Sequence, residues 1–109
     1  MFNSKRILSE QAIQTMQQTV TNASMIKYAP PAGQGFNYAL GEWVLEADES
    51  GKATVVASPG LFGTWPYVDI KRNYAAIFFV KTLLNGDQKK DIYTDLKITI
   101  DQQITQQGK

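Results

Sequence analysis

The sequence contains neither cysteine nor histidine among its 109 residues. Without cysteine it forms no disulfide bond and has no cysteine nucleophile. Without histidine it forms neither a Ser-His-Asp triad nor an ordinary zinc site. The aspartates and glutamates show no spacing typical of metal ligands. We therefore expect no metal and no cofactor, and any catalysis would need serine, lysine, tyrosine or a carboxylate.

Charge of one sign and long apolar runs are also scarce. The formal net charge is +1 and the basic residues are scattered, so no basic surface for nucleic acid is expected. The N-terminal residues MFNSKRILSEQ lack the apolar segment of a signal peptide. The longest apolar run, residues 74–80, is too short to span a membrane and is typical of a buried strand.

The composition is that of one small α+β domain, with 43% hydrophobic residues over a length typical of a single domain. Ser9 has the character of an N-cap, and apolar residues follow it at helical spacing, which predicts a helix over about residues 9–19. Residues 21–37 contain Pro30-Pro31 and two glycines, and predict a loop.

An antiparallel sheet of three to four strands is predicted to follow this loop, flanked by the N-terminal helix and a C-terminal one. The predicted strands cover residues 38–47, 52–58, 64–70 and 74–84, with turns at 48–51 and 71–73. The last strand is apolar on both faces, so we expect it to lie centrally. After Asn85-Gly86, the spacing of Ile92, Leu96, Ile100 and Ile104 favours a helix, although alternation over 96–100 leaves a strand open.

Ser24 and Lys27 match the Ser-x-x-Lys motif, in which a lysine activates a serine one helical turn away. That chemistry needs both residues on one helix. Pro30-Pro31 follow at once and prevent a helix from continuing, so we do not assign a nucleophile to Ser24.

Three aromatic residues, Trp43, Trp65 and Tyr67, leave two interpretations open. The first is a stacking platform for a glycan or a peptide, which would make the chain an autonomous binding module. In a small β-rich domain, however, core packing accounts for such residues more often.

The stretch ASPGLFGTWPYVDI, residues 57–70, is interpreted together with the elements on either side of it. The order of elements consists of the strand YALGEWV, a hairpin, the segment SPGLFGTWPYVDIKRNYAAIFFV and a final helix. This order resembles the C-terminal part of the penicillin-recognising serine hydrolases. These comprise class C-like β-lactamases, DD-peptidases and related esterases. The opening SKRILSEQAIQTM is similar to the segment that precedes these strands in the family. The resemblance spans about residues 5–104 and implies that residues 1–109 form a single partial domain with a β-lactamase/transpeptidase-like fold.

The resemblance also implies roles in substrate binding for Ser58, Gly60 and Leu61. Ser58 stands where the family has lysine or histidine, and Gly60 stands at the family's glycine, which lets substrate approach the backbone. The Leu61 N–H falls at the position that donates to the oxyanion hole. Because serine brings no positive charge, the departure at Ser58 disfavours β-lactam recognition and favours an ester or another acyl substrate.

The family's Ser-x-x-Lys nucleophile and Tyr-x-Asn motif have no counterpart in this chain. The resemblance therefore implies a C-terminal piece of a larger hydrolase, inactive alone, whose parent acts on a small or peptide-like acyl substrate in the periplasm or cell envelope. A ligand-free interaction domain is a further alternative. Since a partial sheet leaves strand edges unpaired, we also expect self-association through those edges.

Overall fold

A computed structural model of the chain describes residues 5–60, 62–80 and 86–108. Helix α1 comprises Glu10–Met16, a single 3-10 turn comprises Pro31–Gly33, and helix α2 comprises Gly86–Gln107. The strands between them are β1 (Asn37–Tyr38), β2 (Trp43–Ala47), β3 (Ala53–Ala57), β4 (Trp65–Asp69) and β5 (Tyr74–Phe78). The predicted α+β class with two helices is confirmed, but the sheet has five strands where three to four were expected.

Helix α1 begins as its sequence predicts and ends early. The Ser9 hydroxyl accepts a hydrogen bond from the Ala12 N–H, the contact expected of an N-cap. The helix stops at Met16, and the next carbonyl, that of Gln17, accepts a hydrogen bond from the Ala53 N–H at 2.8 Å. Pairing with the sheet thus replaces the last predicted turn of the helix.

The sheet is a meander, in which every strand runs antiparallel to its neighbour in the chain, in the order β1-β2-β3-β4-β5. The prediction of one continuous strand over residues 38–47 is wrong. Gly41, at φ 96°, turns the chain back, and the Ala39 N–H donates to the Glu42 carbonyl at 2.9 Å. Because glycine adopts a positive φ without steric cost, this stretch forms the tight hairpin between β1 and β2 and adds the fifth strand.

The prediction that the last apolar strand lies centrally is also wrong, because β5 is at one edge of the sheet. Its side chains alternate between a face covered by α2 and an open face, where Ile77 is 56% exposed. An apolar pattern on both faces shows that a strand has little polar surface. It does not show that another element covers both faces.

Helix α2 covers one face of the sheet at β4 and β5. The Tyr93 ring lies 5.2 Å from the Trp65 ring on β4 and 5.1 Å from the Phe78 ring on β5. The buried core on this face comprises Val55, Ala57, Trp65, Tyr67 and Tyr93. A second, smaller cluster on the other face comprises Ala39, Val44, Ala53 and Val56.

The C-terminal helix itself is confirmed, but its buried face differs from the predicted apolar row. Tyr93 and Lys97 are buried, whereas Ile92 and Leu96 are 48% and 43% exposed. The helix turns Lys97 inward because the sheet beneath it carries a buried carboxylate, that of Asp69. No described helix is both long enough and apolar enough to cross a membrane.

Candidate functional site: the Ser58 groove and the buried charge cluster

Ser58 and Gly60 lie in the connection between β3 and β4. Ser58 is the first residue after β3, and its N–H donates to the Pro66 carbonyl at 3.2 Å. Proline has no N–H to return, so the ladder ends at this pair. The Gly60 N–H then donates to the Thr64 carbonyl at 2.7 Å, which closes a tight loop. Both Ser58 and Gly60 are exposed.

Helix α2 holds this loop in place from the other side of the sheet. The buried Tyr93 hydroxyl donates to the carbonyl of Gly63, which adopts a φ of 104° that few other residues tolerate. A side chain at position 60 would bring its Cβ within 3.3 Å of the Thr64 carbonyl oxygen. Gly60 therefore lets the loop close tightly on Thr64, and Gly63 presents its carbonyl to Tyr93 on α2. Leu61, the expected oxyanion donor, lies outside the described residues, and its role stays a prediction.

Ser58 opens onto a groove of about 440 Å³ on the sheet face away from α2. The floor of the groove is apolar and includes Val56, Val68 and Ile77, and Glu42 contributes a carboxylate to its lining. Partial burial raises the pKa of Glu42. Among the described residues no lysine lines this groove, so Ser58 has no lysine base there, and its hydroxyl is suited to hydrogen bonding with a ligand.

Ser24 does not form the Ser-x-x-Lys arrangement. It lies in a turn, and both its N–H and its hydroxyl donate to the Asn22 side-chain oxygen, at 3.1 and 2.6 Å. Ser24 and Lys27 therefore do not share a helix face. This agrees with leaving the nucleophile unassigned.

The three aromatic residues do not form a common surface platform, and core packing, the other interpretation, describes their burial better. Trp65 and Tyr67 are each 3% exposed and belong to the core beneath α2. Trp43 packs elsewhere, with its ring 4.9 Å from the Tyr38 ring and so close to Gly33 that a Cβ there would lie 2.7 Å from it. The three rings stabilise the fold.

A cluster of five charged side chains lies between α2 and the sheet, and no sequence pattern identified it as a group. Its members are Glu46 on β2, Asp69 on β4, Arg72 in the following turn, and Lys97 and Asp101 on α2. The Lys97 ammonium lies 2.9 Å from Asp69 and 2.7 Å from Asp101. The Arg72 guanidinium lies 2.7 Å from Asp69. The one available sequence signal was the spacing of Lys97 and Asp101, one helical turn apart.

The electrostatics of this cluster favour the ionised forms. Burial by itself would raise the pKa of Asp69, but hydrogen bonds from Lys97 and Arg72 outweigh it and lower that pKa. Burial opposes the charge on Lys97 as well, yet the Asp101 and Asp69 carboxylates raise the pKa of Lys97. Tyr74 donates to Asp101, and burial together with that hydrogen bond raises the pKa of Tyr74. Asp69 and Lys97 are thus ionised at neutral pH.

The carboxylate oxygens of Glu46, Asp69 and Asp101 lie within 4.8 Å of one another, a spacing that could hold a divalent cation. The ammonium of Lys97 already bonds to all three, at 3.3, 2.9 and 2.7 Å. A metal ion would have to displace this ammonium and would face Arg72 as well. The cluster is therefore an ion-pair network that fastens α2 to the sheet.

No protein-family model, curated protein or solved structure matches the chain. The groove beside Ser58 combines an exposed polar group with an apolar floor, whereas the charge cluster is satisfied internally.

Proposed function

We propose that this chain is the C-terminal part of a β-lactamase-like serine hydrolase and forms one wall of its acyl-transfer site. The observation that carries the proposal is the position of Ser58 and Gly60. Both lie in an exposed loop at the end of β3, and Ser58 lines the groove on the sheet face that α2 leaves open. A site wall needs backbone and polar groups that substrate can reach, and this loop offers both.

Each loop residue has a distinct role in the proposal. The Ser58 hydroxyl hydrogen-bonds the substrate, and Gly60 leaves the backbone accessible because it has no side chain. The Leu61 N–H donates to the oxyanion. Glu42 lines the same groove and repels an anionic substrate, so a neutral ester or amide suits the groove better than a β-lactam carboxylate.

The chain alone supplies no nucleophile for this chemistry. Val56, Val68 and Ile77 leave the floor of the groove apolar and open, and such a surface is suited to packing against another part of a larger protein. That part would bring the serine and its lysine base to the mouth of the groove.

The first test is hydrolysis by the 109-residue chain. We expect no turnover of a chromogenic cephalosporin or of p-nitrophenyl acetate above a boiled control, because no described serine is hydrogen-bonded to a lysine base. Turnover that persists through purification and is lost in Ser24→Ala would overturn the proposal.

The second test uses the coding sequence upstream of Met1. We expect in-frame Ser-x-x-Lys and Tyr-x-Asn motifs there, and labelling of that serine by a fluorophosphonate probe when the longer protein is expressed. In that protein, Ser58→Ala should raise KM for a neutral ester, whereas the exposed turn variant Ser24→Ala should leave it unchanged. Absence of both motifs would contradict the proposal.

A further inference from the structure

The backbone groups on the outer side of β5 can be assigned from the hydrogen-bond pattern. Alternate residues of an antiparallel strand direct their N–H and C=O groups to opposite neighbours. The Pro66 carbonyl accepts from Ser58, so Pro66 faces the β3 side and the next residue, Tyr67, faces β5. Tyr67 pairs with Ala76, which therefore bonds to β4. It follows that Ile77, the next residue, directs its N–H and C=O outward.

The same alternation places the backbone groups of Ala75 and Phe79 on the outer edge with those of Ile77. The side chains of these residues are also exposed, Ile77 at 56% and Phe79 at 81%. Residues 74–80 carry no charge. Within the described part of the chain β5 pairs with β4 alone, and an uncharged edge strand of this kind accepts a further strand readily.

The opposite edge of the sheet is closed. The Val20 N–H donates to the Tyr38 carbonyl at 2.9 Å, and the Thr21 hydroxyl accepts from the Tyr38 N–H at 2.8 Å. The chain before β1 therefore covers its outer backbone groups. With one open edge in the described part of the chain, pairing between copies gives a closed pair and not a growing fibre.

Helix α2 carries a second apolar surface beside the open edge. One flank of the helix faces the 3-10 turn, where Lys90 donates to the Gln34 carbonyl and lies 4.5 Å from the Phe36 ring. At about 100° per residue, Ile92 and Leu96 fall on the other flank, toward β5. They are 48% and 43% exposed.

We propose that a second copy of this chain occupies the open edge, with the two β5 strands antiparallel about a two-fold axis at Ile77. Ile77 then pairs with Ile77 of the second copy, and Ala75 pairs with Phe79. Each such pair exchanges two backbone hydrogen bonds, roughly six in all. The absence of charge in residues 74–80 removes any like-charge repulsion across the axis.

This symmetry also brings the two α2 helices together. Tyr93 contacts rings on both β4 and β5, so α2 lies over the boundary between these strands. The two helix axes are then two strand spacings apart, about 10 Å. Packed helices lie about 8–10 Å apart, so Ile92 and Leu96 meet their counterparts across the axis.

The test is the mass of the full chain by sedimentation equilibrium. We expect a concentration-dependent dimer of the 12.2 kDa chain. Ile77→Lys should give a monomer, because it opposes two ammonium groups at the axis. Val68→Lys is the matched control: Val68 is exposed on the same sheet face, but it lies on β4, which has neighbours on both sides. The Val68→Lys variant should remain dimeric. Circular dichroism checks that both variants are folded.

The pairing register has its own readout. Ile77→Lys mixed with Ile77→Glu should form a heterodimer where neither variant dimerises alone. In the unmodified chain, the amides of Ala75 and Ile77 should exchange more slowly with deuterium as concentration rises, a measurement that needs no variant. A monomer at every concentration, or a dimer that Ile77→Lys leaves intact, would refute the pairing. Neither result bears on the hydrolysis tests, which concern Ser58 and the upstream sequence.

Discussion

The Asp69 carboxylate accepts a hydrogen bond from the Lys97 ammonium at 2.9 Å, although the Asp69 residue is 0% exposed. Removing both charges from water is costly, and the contact persists because other partners complete it. The Arg72 N–H and guanidinium donate to the same carboxylate, at 2.8 and 2.7 Å. This relationship explains why a lysine occupies the buried face of α2 and why the apolar row of that helix is displaced to its flank.

Lys97→Met should destabilise the protein strongly. The substitution keeps the apolar stem but removes the cation that bonds to Glu46, Asp69 and Asp101, and leaves three carboxylates with Arg72 as their one partner in the cluster. We expect a loss of about 3–5 kcal/mol in the free energy of unfolding, measured in urea. Lys71→Met removes an exposed lysine from the adjacent turn and should change stability little. Equal stability of the two variants would show that the ion-pair network does not form in solution.

Stability should fall at both extremes of pH. The pKa of Asp69 is lower folded than unfolded, so its contribution is complete above its unfolded pKa of about 3.9 and is lost as the pH falls through the folded pKa. The pKa of Lys97 is raised, so its contribution is complete below its unfolded pKa of about 10.4 and is lost as the pH rises through the folded pKa.

The measurement is the thermal midpoint across both pH ranges. Asp69→Asn removes one titrating group and should flatten the acid side, whereas Asp95→Asn, at an exposed position on α2, should leave the wild-type profile. Identical acid slopes in wild type and Asp69→Asn would contradict the lowered pKa.

Tyr93→Phe should loosen the loop that carries Ser58. The variant keeps the ring contacts with Trp65 and Phe78 but leaves the Gly63 carbonyl without its buried donor. We expect a loss of about 1–3 kcal/mol and faster hydrogen exchange at Gly63. Tyr28→Phe, at a residue 82% exposed, is the control and should have no effect. Unchanged exchange in Tyr93→Phe would mean that α2 does not hold the loop.

The two tryptophans should differ in fluorescence. In Trp43→Phe the remaining Trp65 is buried, so its emission should be blue-shifted and acrylamide should quench it poorly. In Trp65→Phe the half-buried Trp43 should be quenched more strongly. Neither variant should respond to a polysaccharide titration. A ligand-dependent change in the fluorescence of Trp65 would support the binding-module interpretation.

Local features of the fold were readable from the sequence because their causes lie within a few residues. Ser9 caps α1 through the Ala12 N–H, as its position predicts. The turn predicted at residues 71–73 forms around Asn73, which adopts a φ of 57°. Asparagine is one of the few residue types suited to that backbone region. The choice of helix for the C-terminal segment was confirmed for the same reason, since its spacing and length are local properties.

In the candidate site, too, local features were predictable from the sequence and features that depend on distant contacts were not. The sequence placed Ser58 at the end of a predicted strand over residues 52–58, and in the structure it directly follows β3, which ends at Ala57. The groove beside them depends on which sheet face α2 covers, and residue types alone do not specify that choice.

The sequence by itself determined the α+β class, the N-cap, the main turns and the C-terminal helix, since each depends on neighbouring residues. Tertiary structure alone decided that β5 lies at an edge, that Trp65 and Tyr67 are core residues, and that Lys97 faces inward. The physical reason is that burial and charge pairing depend on contacts between distant residues. Asp69 and Lys97, 28 residues apart, become partners only when α2 folds back over β4.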